Sequence, residues 1–591
     1  MAYSMDVFRD VFRNPLGLTV PALTILIVVF GLPTVFFFFA SLNAPEYSLS
    51  NYQAFLYRGA NLRILVQTIE VSVFATLICL VIGYPTAYLI TAAPKRARIA
   101  LTVLIFLPWL TSGLVRTYAW ILLLGDNGLI NRTLLDLGLI SSPLALIYNR
   151  LAVYIGMVHI MLPVMILPLL SVMQGIDKSL MAAARGMGAR PFSAFWRVFL
   201  PLSLPGVRSG TILVFVICLG FYITPQALGG LRDVMLSTLI ATQIATSFNV
   251  GMVASAAFIL LAIAAVMLSV FGLDSSGKQA HPDRSHRKDR PKSVFRSSVL
   301  TKGLGDRVRA AYWARELYQQ GDASNWLALA GSVFLALVMT FLLLPGLLVI
   351  VMSFSGGAYL EFPPSTLSLQ WYQSFFGDPS WTGALWTSVQ IGLMVAVLST
   401  IVGTLAAYGL SRTTPRIRSS VTICLMTPIT LPAVVVGVAI YFGMVRLGML
   451  GTATGIVLTQ SVGATAYVVA IVSATLANFD RRLERSALSM QASPLQTFMR
   501  VTMPLIRPGV IGGALFAFIH SFDEVVQTSL VSGFSIRTLP LKMWENMRNE
   551  LDPTIAAIGS VITLMPILWL VALYVTWWRA GPSARKRWLN T

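Results

Sequence analysis

Apolar residues recur along this chain in blocks of about twenty or more, far longer than the stripes of a water-soluble helix bundle. A helix rises about 1.5 Å per residue, so about 20 apolar residues cross a hydrocarbon core of about 30 Å. Six blocks of that length lie near 18–41, 64–92, 99–123, 150–173, 204–228 and 249–272. Six more lie near 326–353, 386–411, 419–445, 454–477, 507–532 and 554–578. The pattern predicts an all-α membrane protein with twelve transmembrane helices. The first block is too long for a signal-peptide core and lacks a small-residue cleavage site, which predicts a retained span.

The polar punctuation between blocks sets the expected orientation. Lys95, Arg96 and Arg98 follow span 2, and Lys178, Arg185, Arg190 and Arg197 follow span 4. Arg412, Arg416 and Arg418 follow span 8, Arg481, Arg482, Arg485 and Arg500 follow span 10, and Arg579, Arg585, Lys586 and Arg587 end the chain. The intervening loops are longer and mixed in charge, so both termini are expected on the cytoplasmic side. Composition agrees, with 56% hydrophobic residues and 11% charged ones over 591 residues, where a soluble domain carries about a quarter charged. The formal charge of +20 would suggest nucleic acid in a soluble protein, but its arrangement in short loops excludes that class and points to the lipid bilayer.

Between the two sets of blocks, 274–324 is polar and basic at first (His281 to Lys292), and Asp306 to Gln320 is expected to form a surface helix. The chain then divides into 1–273, a first six-span domain; 274–324, a cytoplasmic linker; and 325–591, a second six-span domain. No G-x-x-x-x-G-K-[ST] phosphate loop occurs, and Gly277-Lys278-Gln279 lacks its flanking residues. ATP hydrolysis is therefore expected on other chains, with no cofactor bound by this one.

An internal repeat joins the two domains. Ala189, Pro191, Phe195, Arg197, Val198, Pro201, Leu202, Pro205, Gly206 and Val207 recur 303 positions later as Ala492, Pro494, Phe498, Arg500, Val501, Pro504, Leu505, Pro508, Gly509 and Val510. Gly83, Ala87, Tyr88 and Pro108 recur 320 positions later as Gly403, Ala407, Tyr408 and Pro428. Repeats of six spans enter the membrane in the same direction, which predicts a pseudo-twofold axis along the membrane normal with the solute path between the halves.

The repeated segment, SLMAAARGMGARPFSAFWRVFLPLSLPGV from Ser179 to Val207, reads as a short helix parallel to the membrane, turned at Gly188 and closed by Pro201. It resembles the E-A-A–x3–G–x9–I-x-L-P coupling loop of ABC importer permeases. The first half further resembles the first permease of spermidine/putrescine importers in GYPTAYLI (83–90), LPWLTSGLVRTYAW (107–120), NGLIN (127–131) and FYITPQALGG (221–230). The second half resembles the second permease in FDEVV (522–526), RTLPLKMW (537–544) and DPTIAAIGS (552–560). The resemblance implies two parallel six-helix ABC-importer permease repeats fused in one chain, in a bacterial inner membrane. It further implies two ATP-binding cassette ATPase subunits and a soluble substrate-binding protein as partners.

On the same resemblance, the coupling residues are Ala182, Ala183, Arg185, Gly188, Ala189 and Pro201 in the first loop. In the second they are Glu484, Arg485, Ala487, Gln491, Ala492, Arg500 and Pro504. The family's Glu falls on Ala182 and Arg485, and its second Gly becomes Gln491. Coupling is then expected from apolar packing with Arg185, Arg485 and Arg500, although arginines at a cytoplasmic interface have a plain reading as well.

Charge inside a span costs from about 2.5 kcal/mol upward, so each such residue marks a candidate path. Asp523 and Glu524 in span 11, read as one helix, would point about 100° apart, with at least one facing the interior. A carboxylate there would replace lost hydration of a cationic solute. The alternative is that the pair binds Arg537 or a helix terminus. The matching stretch of the first half offers Phe221, Tyr222 and Gln226, where aromatic faces suit a cation or simply pack. Arg116 is expected to snorkel to the outer interface, and Glu70 to pair with it or with Arg63. His159 and His520 are expected as hydrogen-bonded core residues, and Cys79, Cys218 and Cys424 as buried small hydrophobes. No cluster suggests a metal or catalytic site.

The expected function is binding-protein-dependent, alternating-access uptake of a small organic cation, foremost a polyamine. Ferric iron, thiamine or an aminophosphonate are alternative cargoes, and an ion-gradient transporter is the alternative class.

Overall fold

The computed structural model describes residues 15–270 and 323–579, apart from 44, 247–248, 358–361, 365, 534 and 550–551. The linker helix expected at Asp306–Gln320, Gly277-Lys278-Gln279 and the basic residues Arg585 to Arg587 lie outside the described residues. Lipid offers no partner for backbone N–H and C=O groups, so long apolar runs satisfy them internally as helices. Nine helices among the described residues are long and apolar enough to cross a membrane: Gly17–Ser41, Gly59–Ala92, Arg150–Gln174, Pro191–Leu219, Val250–Ser269, Ala328–Met352, Pro379–Ser411, Ala453–Ala477 and Pro494–Asp523. Thr554–Arg579 supplies the last span.

The remaining two spans are bent, unlike the straight helices the hydropathy predicts. Span 3 runs as Lys95–Leu110, then turns by 92° into a second limb, Gly113–Leu124. Span 9 runs as Pro415–Thr430, then turns by 99° into Ala433–Arg446. Pro108 and Pro428 precede the bends at matched positions, and Pro432 adds another at the second. Each second limb lies among other helices; every residue from Leu114 to Leu124 is buried. Spans 5 and 11 are also broken, ending at Leu219 and Asp523, with short helices Ile223–Leu228 and Val526–Val531 beyond.

The two halves repeat in contact as well as in sequence. The backbone N–H of Leu236 donates to Thr68 Oγ1 at 2.8 Å, and that of Leu539 donates to Ser388 Oγ at 2.7 Å. These partners are related by the same spacings as the sequence repeat. Their first spans, however, are exchanged. Leu18, Ala22, Leu26, Val29 and Phe30 of span 1 share a core with Ala407, Ile440 and Val468 of the second half. Val338, Met339 and Leu342 of span 7 share one with Met161 and Met165 of the first. A third core joins the halves through both bent limbs, with Val349, Trp544 and Ile555 beside them. Each half thus lays part of its first span on the other half's core, while Phe37 and Phe38 of span 1 keep contact with Phe258 of their own half.

The repeated segment between spans 4 and 5 of each half differs from its expected form in one respect. Pro201 does not close a helix. The chain runs as one helix from Pro191 to Leu219, widening to a π-turn at Phe195–Phe199 so that the Leu200 N–H reaches Phe195 O. The second half repeats this at Phe498–Thr502. The wider turn absorbs the N–H missing at Pro201 and Pro504 within a continuous helix.

Candidate functional site

The break in span 11 brings Asp523 across the molecular interface. The helix ends at Asp523, and Glu524 is extended at φ −79° and ψ 105°. The two carboxylates are therefore not set about 100° apart on one continuous helix, which was the expectation; the helix ends between them. Asp523 Oδ1 accepts from Ser112 Oγ, and Oδ2 accepts from the backbone N–H of Gly113 at 3.3 Å. Ser112 is the N-cap of the limb Gly113–Leu124, accepting from the Leu114 N–H at 3.2 Å. A carboxylate of one half thus sits on the helix start of the other, where unsatisfied N–H groups favour negative charge. Glu524 stays within its own half, its Oε1 accepting from the N–H of Gln527 at 2.9 Å. Both acids bind helix termini, and Arg537 instead pairs with Glu545 at 3.5 Å.

Arg116 does not snorkel. It is 6% exposed, because the bend turns its limb away from the membrane surface into the interior. Its Nη2 lies 4.0 Å from where a side chain on Gly113 would begin, and Gly113 is the residue whose N–H Asp523 accepts from. Its Nε and Nη1 are buried without hydrogen-bond partners.

The matched crossing is apolar. Positions related to Asp523, Ser112, Gly113 and Arg116 are Gly220, Pro432, Ala433 and Val436. A side-chain carbon on Gly220 would stand 2.9 Å from Pro432 Cα and 3.0 Å from the Ala433 nitrogen, so the two backbones are in direct contact. Beyond this break, Phe221 O accepts from Ser237 Oγ. Tyr222 is buried, its ring 5.8 Å from that of Trp544 in an edge-on arrangement that again joins the halves. Gln226 Oε1 is buried without a partner. Trp544 was not singled out from the sequence; the RTLPLKMW motif was its sole signal.

Other ionisable residues take structural roles. Glu70 pairs with Arg150 at 3.3 Å, correcting the expected Arg63 or Arg116 partner; Arg150 also binds Asp233 at 3.2 Å. His159 Nε2 lies 3.2 Å from Leu342 O, within the core expected for it. His520 packs at 5.2 Å from the Tyr467 ring, and its Nε2 has no hydrogen-bond partner, contrary to expectation. Cys79 and Cys218 are buried, but Cys424 is exposed on its span, where the surroundings expected for an apolar side chain are lipid rather than protein.

In the two repeated loops, Lys178–Gly186 and Arg482–Ser489 form the short helices expected there. Asp177 caps the first, and the Ser179 N–H holds its carboxyl below the usual range. Gly188 and Gln491 both terminate their helices in the left-handed region, at φ +83° and +64°. Ala182, Ala183, Arg185, Arg485 and Arg500 are exposed, Ala189, Ala487, Ala492 and Pro201 partly so. Pro504, like Pro201, lies within the first turn after its π-turn. Matched apolar residues also face outward with nearly equal exposure: Leu180 with Leu483, Met187 with Met490 (82% each), and Phe192 with Leu495. Glu484 points inward instead, taking hydrogen bonds from Arg412 Nη2 and Thr502 Oγ1. Arg412 also lies over the Tyr408 ring at 3.3 Å.

Comparisons with known proteins agree with this architecture. The family model described as binding-protein-dependent transport system inner membrane component matches residues 79–275 and again 399–580. A spermidine/putrescine transport system permease protein PotB of Haemophilus influenzae is 37% identical over 182 residues, 31% of this chain and 64% of the relative. PotB of Escherichia coli K12 is 34% identical over 204 residues, 34% of this chain and 74% of the relative. The putrescine transport system permease protein PotI of the same organism is 32% identical over 242 residues, 39% of this chain and 84% of the relative. The chain thus spans just under two thirds of the Haemophilus relative. With two matched domains on one polypeptide, it belongs to the binding-protein-dependent transport system inner membrane component family, as a multi-pass transport subunit.

Proposed function

We propose that this chain is the permease of a polyamine importer, carrying spermidine, putrescine or a similar cation between its halves by alternating access. The observation that carries the reading is the carboxylate of Asp523 at the crossing of the two halves, in a chain similar to permeases named for spermidine and putrescine. Solute crossing between the halves must pass where they meet, and a fixed carboxylate there offers a desolvated ammonium a charge-assisted contact. Tyr222 and Trp544 add aromatic surface at the neighbouring contact, worth about 0.5–2 kcal/mol to a cation once separated.

ATP is hydrolysed by partner subunits. The two outward sets Leu180/Met187/Phe192 and Leu483/Met490/Leu495 suit docking of two ATPase subunits on the cytoplasmic side, with Arg185, Arg485 and Arg500 beside them. A soluble binding protein delivers solute on the other side, at a bacterial inner membrane with both termini cytoplasmic.

Reconstitution in liposomes with an ATPase and candidate binding proteins tests this. Polyamine-loaded binding protein is expected to stimulate ATP hydrolysis and solute accumulation, and Asp523→Asn is expected to abolish accumulation while binding-protein docking persists. Stimulation by ferric, thiamine or aminophosphonate cargo alone would overturn the polyamine assignment. Uptake driven by an ion gradient without ATP would overturn the class.

A further inference from the structure

A buried arginine with two guanidinium nitrogens outside any hydrogen bond lies on the helix turn that holds Asp523. Arg116 is 6% exposed, and its Nε and Nη1 make no hydrogen bond. Neither the helix terminus nor Ser112 explains an arginine there: Ser112 and Gly113 already supply the donors that Asp523 accepts from. A cation at a helix start also opposes the local dipole. The buried negative charge from the other half lies on the same first turn: Asp523 accepts from the Gly113 N–H, and Arg116 Nη2 lies 4.0 Å from where a side chain on Gly113 would begin. The matched crossing has Val436 and Gly220 at these two positions, so the cation and the carboxylate occur together and are absent together.

We infer that Arg116 is the resident counter-cation of Asp523. It neutralises the carboxylate while the crossing between the halves is shut, and a cationic cargo competes for the carboxylate when the crossing opens. The inference rests on the proposed cation path and adds its regulation: an empty carboxylate is never left unneutralised between the halves. An uncompensated buried charge weakens the contact it sits in, so removing Arg116 shifts the population toward the open crossing. In an alternating-access importer, that shift appears as ATP hydrolysis without cargo.

The test uses the full chain assembled with its ATPase in liposomes, without binding protein. Arg116→Gln is expected to raise cargo-free ATP hydrolysis about fivefold, or about 1 kcal/mol in the balance of the two states. Arg116→Lys keeps the charge and is expected to show less than half that rise. In an Asp523→Asn background, Arg116→Gln is expected to give no further rise, since no carboxylate remains to be neutralised and the orphaned cation is removed. An equal rise in both backgrounds, or a Lys variant as active as the Gln variant, would overturn the inference. Thermal unfolding of the purified full chain gives a second reading that needs no partner. The losses in Arg116→Gln and Asp523→Asn should overlap in the double variant, and full additivity would be contrary. A transported solute that proves neutral would sink the cation path, yet leave this coupling between the two residues in place.

Discussion

Where span 11 meets span 3, Asp523 of the second half binds Ser112 and Gly113 of the first; where span 5 meets span 9, Gly220 of the first half touches Pro432 and Ala433 of the second. The positions correspond through the internal repeat, and the backbones bend alike, by 92° and 99°. Their chemistry is opposite. A hydrogen-bonded carboxylate can exchange one partner for another, water or ammonium included, whereas backbone-to-backbone packing has no substitute. The difference divides the labour of a symmetric scaffold: one crossing suits separation, the other suits service as the pivot. The anchors of the two repeated loops show the same division. Glu484, Arg412 and Thr502 tie the second loop down by polar contacts. Met181, Ala92 and Phe199 stand at the matched places in the first, where Phe199 packs with Tyr88 and Phe195.

The strongest way to break the comparison is at the polar anchor. Glu484→Ala leaves Arg412 and Thr502 without their shared acceptor and is expected to cost about 2–3 kcal/mol. The matched Met181→Ala removes part-buried apolar surface alone and is expected to cost about 1 kcal/mol. Thermal unfolding of both variants measures the gap, and equal losses would show the anchors to be equivalent. Next comes the apolar crossing, where Gly220→Ala drives a methyl group into the Pro432–Ala433 backbone. Overpacking of this kind costs about 1–3 kcal/mol, and uptake should fall with it. Wild-type stability and uptake in that variant would mean that the close contact is dispensable. The smallest effect concerns the two loop turns. Gln491 holds a left-handed conformation that glycine adopts freely, so Gln491→Gly is expected to gain about 0.5 kcal/mol, and Gly188→Gln to lose a similar amount. Hydrogen exchange over Arg482–Ser489 and Lys178–Gly186 reads this directly.

Much of this architecture was legible in the sequence because lipid imposes a length rule and the repeat preserved its proline and glycine spacing. The bends were not. In the block near 99–123 the turn is marked by two hydroxyl residues alone, Thr111 and Ser112, too short an interruption for the hydropathy of the block to register. That single omission misplaced Arg116: a charge near the end of a straight span reaches the interface, but the same charge on a limb turned inward is buried. Asp523 was found because a carboxylate in an apolar run is conspicuous, yet its contact lies 411 positions away. Glu484 was seen to be off the expected register, and its partner Arg412, 72 positions upstream, gave no local sign.

The π-turn at Phe498–Thr502 has a mechanical consequence. From there the helix runs unbroken to Asp523, about 38 Å at the ordinary helical rise. Such a rod, rotated by about 4° at its widened base, moves its far tip by about 3 Å, enough to carry a hydrogen bond past its working length. A small tilt at the turn is thus magnified at the far tip, where Asp523 meets the other half.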